Sequence, residues 1–165
     1  MNKVMPDRLK EVPYPIAVVT TTDSDTGRFY GQAVVWVTQV SYEPLRFVMA
    51  LGKTRYTPTI LDKSGICVIN WIDDPNIAKI FGRQSGRTVD KFAQLLPWQY
   101  ELKEWFGVKL PFLTTGKYSV ICKVKRKIED TNEDLPGTHN VYLLAGGTVY
   151  ENDGRGFLNY EYGSL

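Results

Sequence analysis

The sequence predicts a mainly β protein of one domain, residues 1–165, in which antiparallel strands form a closed or partly closed barrel with short peripheral helices. One observation is that its apolar runs are short and rich in β-branched residues, as in Ala33 to Val40. Another is that turn-forming clusters, such as Asp23 to Gly27, separate these runs. A third is that the runs do not alternate with long helical segments, which disfavours a parallel doubly wound sheet.

The apolar runs predict about seven strands along the chain. They are Ile16 to Thr22, Ala33 to Val40, Phe47 to Leu51, Ile66 to Trp71, Lys117 to Ile128, Asn140 to Glu151 and Phe157 to Tyr162. Tyr42 to Pro44 predicts a turn between the second and third runs. Gly146-Gly147 lies inside the sixth run and indicates a bulge or a close backbone approach.

Three short helices are predicted between the strands. Thr57 followed by Pro58 is typical of a helix start, with Thr57 as the N-cap, and Gly65 marks the end. The other two helices span Asn76 to Phe81, opened by Asp74-Pro75 and closed by Gly82, and Thr88 to Leu95.

Three further segments carry no regular pattern. Pro97 to Pro111 mixes aromatic and charged residues without a clean period, so it is predicted to be an irregular, aromatic-rich excursion. Residues 1 to 14 are predicted to form an arm with little core content. Glu129 to Thr138 is predicted to be an acidic turn region.

Composition excludes several classes of protein. Hydrophobic residues make up 43% and charged residues 23%, as in a soluble globular domain. The net charge of +2 is too small to indicate nucleic-acid binding. No stretch approaches the roughly 18 apolar residues of a membrane span, and the N-terminus has no secretory pattern. The expected location is therefore cytoplasmic.

Metal and redox-cysteine sites are also not expected. The single histidine, His139, and two widely separated cysteines do not provide the ligands of a zinc site. Cys67 and Cys122 each lie in an apolar run, which predicts two buried free thiols.

The segment Lys53 to Thr57 carries the clearest binding pattern. It follows a strand and precedes a helix, whose N-terminus offers unpaired N–H groups and the positive end of the helix dipole. Thr54 and Thr57 add hydroxyl groups, and Arg55 adds a planar cation that suits a phosphate. The segment predicts either a phosphate site or a helix start with solvated cations.

The order of the motifs resembles the flavin reductase-like family, whose fold is the FMN-binding split β-barrel, antiparallel and of the Greek-key type. The resemblance covers nearly the whole chain from about Pro13. It is carried by Tyr14 to Thr20, Ala33 to Pro44, Lys53 to Thr57, Ser64-Gly65, Cys67 to Asn70, Gly86 to Phe92, Cys122-Lys123 and His139 to Val149. One departure is Gln32-Ala33, where relatives often carry Met-Thr or Ala-Thr.

The resemblance implies two groups of site residues. In the first, Arg55 and Thr57 bind the 5′-phosphate of FMN with Thr54 and Lys53 nearby. Lys91 either reaches the phosphate or ribityl chain or is a lysine on a helix surface. Asn70 either contacts flavin or has a structural role, and the structural role is favoured.

The second group lies along the flavin ring. The resemblance implies that Ala33 to Ser41 run beside the isoalloxazine, with Val35, Trp36, Val37, Thr38 and Ser41 as the candidate contacts. Trp36 is either a wall of the ring site or a core residue. His139 is the candidate catalytic residue, which either stabilises negative charge on reduced flavin or orients the dinucleotide. The alternative is that His139 is a loop histidine without a catalytic role.

The activity implied by the resemblance is hydride transfer from NAD(P)H to FMN, with reduced flavin or electrons passed to an unknown acceptor. A homodimer is implied as well. One alternative is a flavoredoxin-like FMN electron carrier that does not itself oxidise NAD(P)H. Another is a non-flavin binding module on the same barrel.

Overall fold

A seven-stranded antiparallel sheet forms the body of the fold in a computed structural model that describes residues 12–129, 131 and 136–160. The strands are β1 (Tyr14–Pro15), β2 (Ala17–Thr22), β3 (Phe29–Val34), β4 (Val37–Ser41), β5 (Arg46–Gly52), β6 (Ile66–Ile72), β7 (Tyr100–Trp105), β8 (Val108–Leu113), β9 (Gly116–Ile128), β10 (His139–Glu151) and β11 (Asn159–Tyr160). The helices are α1 (Thr57–Ser64) and α2 (Pro75–Arg83), and Phe92–Gln94 form a 3₁₀ turn. The mainly β, antiparallel prediction is confirmed.

The main sheet has the order β3-β2-β6-β9-β10-β5-β4. Its two edge strands, β3 and β4, are consecutive in sequence and are separated only by Val35 and Trp36. The prediction of one strand from Ala33 to Val40 is therefore wrong. The chain must leave the ladder with β2 before it can pair with β5 at the opposite edge. No ladder between β3 and β4 closes the sheet among the residues that the structure describes.

The main core lies against one face of this sheet. Cys67 and Cys122 face each other across β6 and β9, fully buried and without a disulfide, as predicted. The predicted irregularity at Gly146 is also confirmed, because the register between β9 and β10 shifts between Gly146 and Val149. A Cβ atom on Gly146 would lie 2.6 Å from Cγ of Leu45, so only glycine allows this approach.

A β-hairpin replaces the predicted irregular excursion between Pro97 and Pro111. Strands β7 and β8 pair in register and turn through Phe106 and Gly107, both with positive φ. Charged residues do not alternate regularly with apolar ones along β7, and β8 contains Pro111, so the sequence shows no clear period of two. Thr20 and Thr22 on β2 donate hydroxyl hydrogen bonds to carbonyls of β8, which fastens the hairpin to the main sheet.

The helix predictions need three corrections. Helix α1 has Tyr56 as its N-cap, and Thr57 is already helical and buried, so the prediction of Thr57 as N-cap is wrong. Helix α2 continues through Gly82 to Arg83, because an apolar face with Ile77 and Phe81 packs into a second core. This second core also contains Ile16, Val18, Ile72, Ala78, Phe92, Leu95 and Leu113. Of the predicted third helix only the 3₁₀ turn forms.

Several predicted segments lie partly or wholly outside the described residues. They are the N-terminal arm, part of the acidic turn and the last two residues of the final strand, of which Asn159–Tyr160 is observed as β11. Among the described residues, neither α1 nor α2 is long and apolar enough to cross a membrane.

Candidate functional site

A polar pocket of about 200 Å³ opens beside the start of α1. Three parts of the chain form it: β3, the segment between β5 and α1, and the end of α2 with the loop that follows. Its lining contains two cations and no carboxylate. The lining residues are Gln32, Thr54, Arg55, Tyr56, Thr57, Phe81, Gln84, Ser85, Gly86 and Lys91.

The start of α1 borders this pocket. Strand β5 ends at Gly52, and the chain turns sharply because the Arg55 N–H donates to the Gly52 carbonyl over 3.1 Å. No side chain caps the helix at Tyr56. Pro58 has no N–H and the Thr59 N–H donates to the Tyr56 carbonyl over 3.0 Å, so this helix start offers an anion the Thr57 N–H and the positive end of the helix dipole.

Lys91 is a buried cation at the base of the pocket. Its side chain is only 5% exposed, and Nζ donates to the carbonyls of Gly31 (2.9 Å) and Phe81 (3.1 Å). Lys91 directly precedes the 3₁₀ turn, and its ammonium points into the protein toward these two carbonyls. The alternative of a helix-surface lysine is therefore wrong. Burial, and then the charge of Arg55, lower the pKa of Lys91 to about 8.

Arg55 links the pocket to the only histidine. It lowers the pKa of Lys91, and after burial it is the second cause that lowers the pKa of His139. A Cβ atom on Gly52 would lie 3.4 Å from Cγ of Arg55 and 3.7 Å from Nε2 of His139, so Gly52 leaves room for both side chains. No carboxylate among the described residues forms a salt bridge with Arg55.

His139 and Trp36 form a second group beside Arg55. Their rings meet edge to face with centroids 4.8 Å apart, and Nδ1 of His139 lies 2.8 Å from Oγ1 of Thr138. Trp36 is 49% exposed at the break between β3 and β4, so the alternative of a core tryptophan is wrong. This group presents an aromatic face to solvent.

The other predicted ring residues are spread over β4 and its approach. Val37 is buried in the main core, and Val35 packs against the second core. Thr38 is exposed, and Ser41 lies at the far end of β4, half-buried. Lys53 is exposed outside the pocket lining, and its backbone N–H donates to the Thr138 carbonyl.

The structure therefore brings Thr54, Arg55, Thr57 and Lys91 to one pocket and places Trp36 and His139 next to it. Sequence reasoning missed Gln32 and the loop after α2, Gln84 to Gly86, as parts of the lining. Their only sequence signals are the polar loop between Gly82 and Arg87 and the unusual Gln32-Ala33 pair. These residues are far from Arg55 in sequence, and only the folded chain brings them to the same pocket.

An anion bound in this pocket should bind more weakly as the pH rises above about 8. Lys91 is protonated below its pKa of about 8, and an anion beside it stabilises the protonated form. Above that pKa binding must take up a proton, so affinity falls by up to about tenfold per pH unit. Sulfate, which keeps its charge across this range, is the probe, titrated by NMR. A flat pH profile in the wild type would contradict this placement of Lys91, and Lys91→Met is the control that should be flat.

The donor set of the pocket matches a phosphate group. Two cations, two threonine hydroxyls and a helix start all offer positive charge or hydrogens to an anion. The volume of about 200 Å³ is below the roughly 300–1,000 Å³ of sites that enclose a whole small molecule. The pocket therefore suits the anionic end of a larger ligand.

Comparison with known proteins gives one family. A family model described as "Flavin reductase like domain" matches residues 9–164. Among solved structures, the NADH:FAD oxidoreductase of Streptomyces globisporus C-1027 superposes with a TM-score of 0.78 at 17% identity, over 98% of this chain and 93% of that one. Flavoredoxin from Methanosarcina acetivorans superposes with a TM-score of 0.70 at 19% identity, over 86% and 70%. At these identities the likeness establishes the fold.

Two other relatives are longer than this chain. An uncharacterized protein of Aeropyrum pernix is 30% identical over 73 residues, which are 44% of this chain and 28% of that protein. A Sinorhizobium meliloti structure has a TM-score of 0.75 at 20% identity, over 94% of this chain and 49% of that one. The chain thus spans about half, or less, of the length of these relatives.

Proposed function

The chain belongs to the flavin reductase-like domain family, and from this premise we propose that it binds FMN and transfers hydride from NAD(P)H to the flavin. The observation that carries the proposal is the cationic pocket at the start of α1, in which Arg55 and the buried Lys91 stand without a carboxylate in the lining. Lys91 is buried while Arg55 is exposed, and a buried cation without an acidic partner is costly unless other groups or a ligand compensate it. A phosphate monoester is a ligand of that kind.

In this proposal the pocket holds the phosphate end of FMN. Arg55, Thr54 and Thr57 donate to the phosphate, and Lys91 neutralises its charge from below. Lys53 adds positive charge outside the lining. The isoalloxazine lies along the neighbouring edge formed by Val35, Trp36, Val37 and Thr38, with Ser41 at its far end.

FMN, when bound, would supply the hydride acceptor of the reaction. The chain's own residues bind and orient the reactants, so no side chain is required to act as an acid or base. Burial, and then the charge of Arg55, lower the pKa of His139, which favours the neutral imidazole. In this proposal His139 acts by hydrogen bonding, either to orient the dinucleotide or to stabilise negative charge on the reduced flavin. Arg55 supplies the fixed positive charge.

Three finer features belong to the same proposal. The open sheet, whose edges β3 and β4 meet at Val35 and Trp36, is one side of a split barrel. Two copies of the chain form a homodimer. Reduced flavin or its electrons pass to a separate acceptor, whose identity is open.

A flavoredoxin-like electron carrier is the second candidate. It is supported by the fold likeness to flavoredoxin from Methanosarcina acetivorans and by the exposed Trp36, which gives a partner access to this edge. In this case the same pocket holds FMN, but another protein reduces it.

Anaerobic titration separates the candidates. Protein loaded with FMN is mixed with NADH and, separately, with NADPH, and the flavin absorbance is followed. We expect either nucleotide to bleach the flavin absorbance faster than it bleaches free FMN. Flavin bands that persist with both nucleotides support the carrier. If the protein takes up no flavin, the proposed function is wrong.

A further inference from the structure

Gln32 carries an unpartnered polar atom at the wall of the pocket. Its side chain is 7% exposed, and Oε1 is buried without a hydrogen-bond partner. Pairing of β3 with β2 fixes its position opposite Val19. A buried carbonyl oxygen without a donor destabilises a protein, so this atom indicates a donor that a ligand supplies.

Two neighbouring side chains, Lys91 and Gln84, already form hydrogen bonds with other protein groups. Lys91 directs two of its three N–H groups to the carbonyls of Gly31 and Phe81. Gln84, which borders the same pocket, is bound to Gln94 by two reciprocal amide hydrogen bonds of 3.0 and 2.7 Å. Gln32 is therefore the amide in this lining whose acceptor is left for a ligand.

The chemistry of the missing donor follows from the rest of the lining. Arg55, Lys91 and the threonines offer hydrogens to a phosphate, and a phosphate dianion has none to give in return. An acceptor at the same pocket therefore fits a hydroxyl group close to the phosphate. We propose that Gln32 accepts a hydrogen bond from a hydroxyl of the chain next to the phosphate, and so selects a polyol phosphate. This inference rests on the proposed function, where that chain is the ribityl group of FMN.

The test compares two ligands and three proteins. The ligands are FMN and a flavin phosphate whose N10 chain is an unsubstituted pentyl group, so that it lacks the hydroxyls but keeps the ring and phosphate. The proteins are the wild type, Gln32→Met and Gln99→Met. Methionine preserves the length of glutamine without its amide. Gln99→Met is the matched control, because Gln99 lies outside the pocket lining and its amide oxygen already accepts from the backbone N–H of Leu96 over 2.8 Å. Dissociation constants are measured by flavin fluorescence, and thermal melting checks the fold.

The ratio of the two dissociation constants is the readout, because a purely structural role of Gln32 would change both equally. We expect the wild type to prefer FMN, and Gln32→Met to reduce this preference by about 3- to 10-fold, the effect of one hydrogen bond. Gln99→Met keeps the wild-type ratio. An unchanged ratio in Gln32→Met, or equal affinity for both ligands in the wild type, overturns the inference while the proposed function stands. If neither ligand binds the wild type, both are wrong.

Discussion

Replacing Arg55 with alanine is expected to weaken the proposed FMN binding by about 1.5–3 kcal/mol, or roughly 10- to 150-fold, the loss expected for a hydrogen bond to a charged group. Arg55 lines the pocket, and its charge also acts on His139. It is also the planar donor of the lining that can hold a phosphate with two parallel hydrogen bonds. Equilibrium titration of FMN, followed by flavin fluorescence, measures the change.

The same variant has a readout that needs no ligand. His139 is the only histidine in the sequence, so its imidazole gives one NMR titration curve. Arg55 is one cause of the lowered pKa of His139, and its removal should raise that pKa. Arg28→Ala is the control, because Arg28 stacks on Tyr30 outside the pocket lining. Arg55→Ala with unchanged FMN affinity would remove Arg55 from the site.

Replacing Asn70 with leucine destabilises the fold by about 3–5 kcal/mol. Its amide is fully buried, and Nδ2 donates to the carbonyl of Val18 and the hydroxyl of Thr20 over 3.0 and 3.2 Å. Oδ1 accepts from the backbone N–H of Leu113 (3.0 Å) and the hydroxyl of Ser119 (2.8 Å). The side chain thus links four strands, and leucine leaves several of these buried groups without partners.

Chemical and thermal denaturation measure this effect. For a domain of this size the expected fall in melting temperature is roughly 6–20 °C. Ser119→Ala is the graded control: it removes one donor while Leu113 still binds Asn70, so it should cost only about 1 kcal/mol. Equal stability of Asn70→Leu and the wild type would show that these hydrogen bonds do not hold the hairpin and sheet together.

The strands of the sheet could be predicted because their apolar residues signal burial locally. Ile66–Ile72 is buried at five of its seven residues, and the apolar part of Gly116–Ile128, residues 119–122, is buried as well. The break at Val35 and Trp36 could not be predicted in this way. The residues there are as apolar as their neighbours, and the break follows from pairing with two different strands. Burial pattern alone does not report which edge a strand joins.

The candidate site likewise contains residues that the local sequence predicts and residues that it does not. Thr54, Arg55 and Thr57 lie together in sequence, so their grouping was predictable from local order. Lys91 was a candidate with two alternatives, and only the carbonyls of α2 and β3 show that it is buried. Gln32 could not be assigned, because its missing partner is visible only once the sheet has buried it. Long-range packing decides these positions.

The most direct test of the phosphate pocket is an equilibrium titration of the wild-type protein with FMN and with riboflavin, which lacks the phosphate. The pocket supplies charge-assisted donors to that group, each of which contributes about 1.5–3 kcal/mol. FMN is therefore predicted to bind at least about tenfold more tightly than riboflavin, and added sulfate should reduce this difference by competing for the pocket. Equal affinities for the two flavins, or no binding of either, would contradict the assignment of Arg55 and Lys91 to a flavin phosphate.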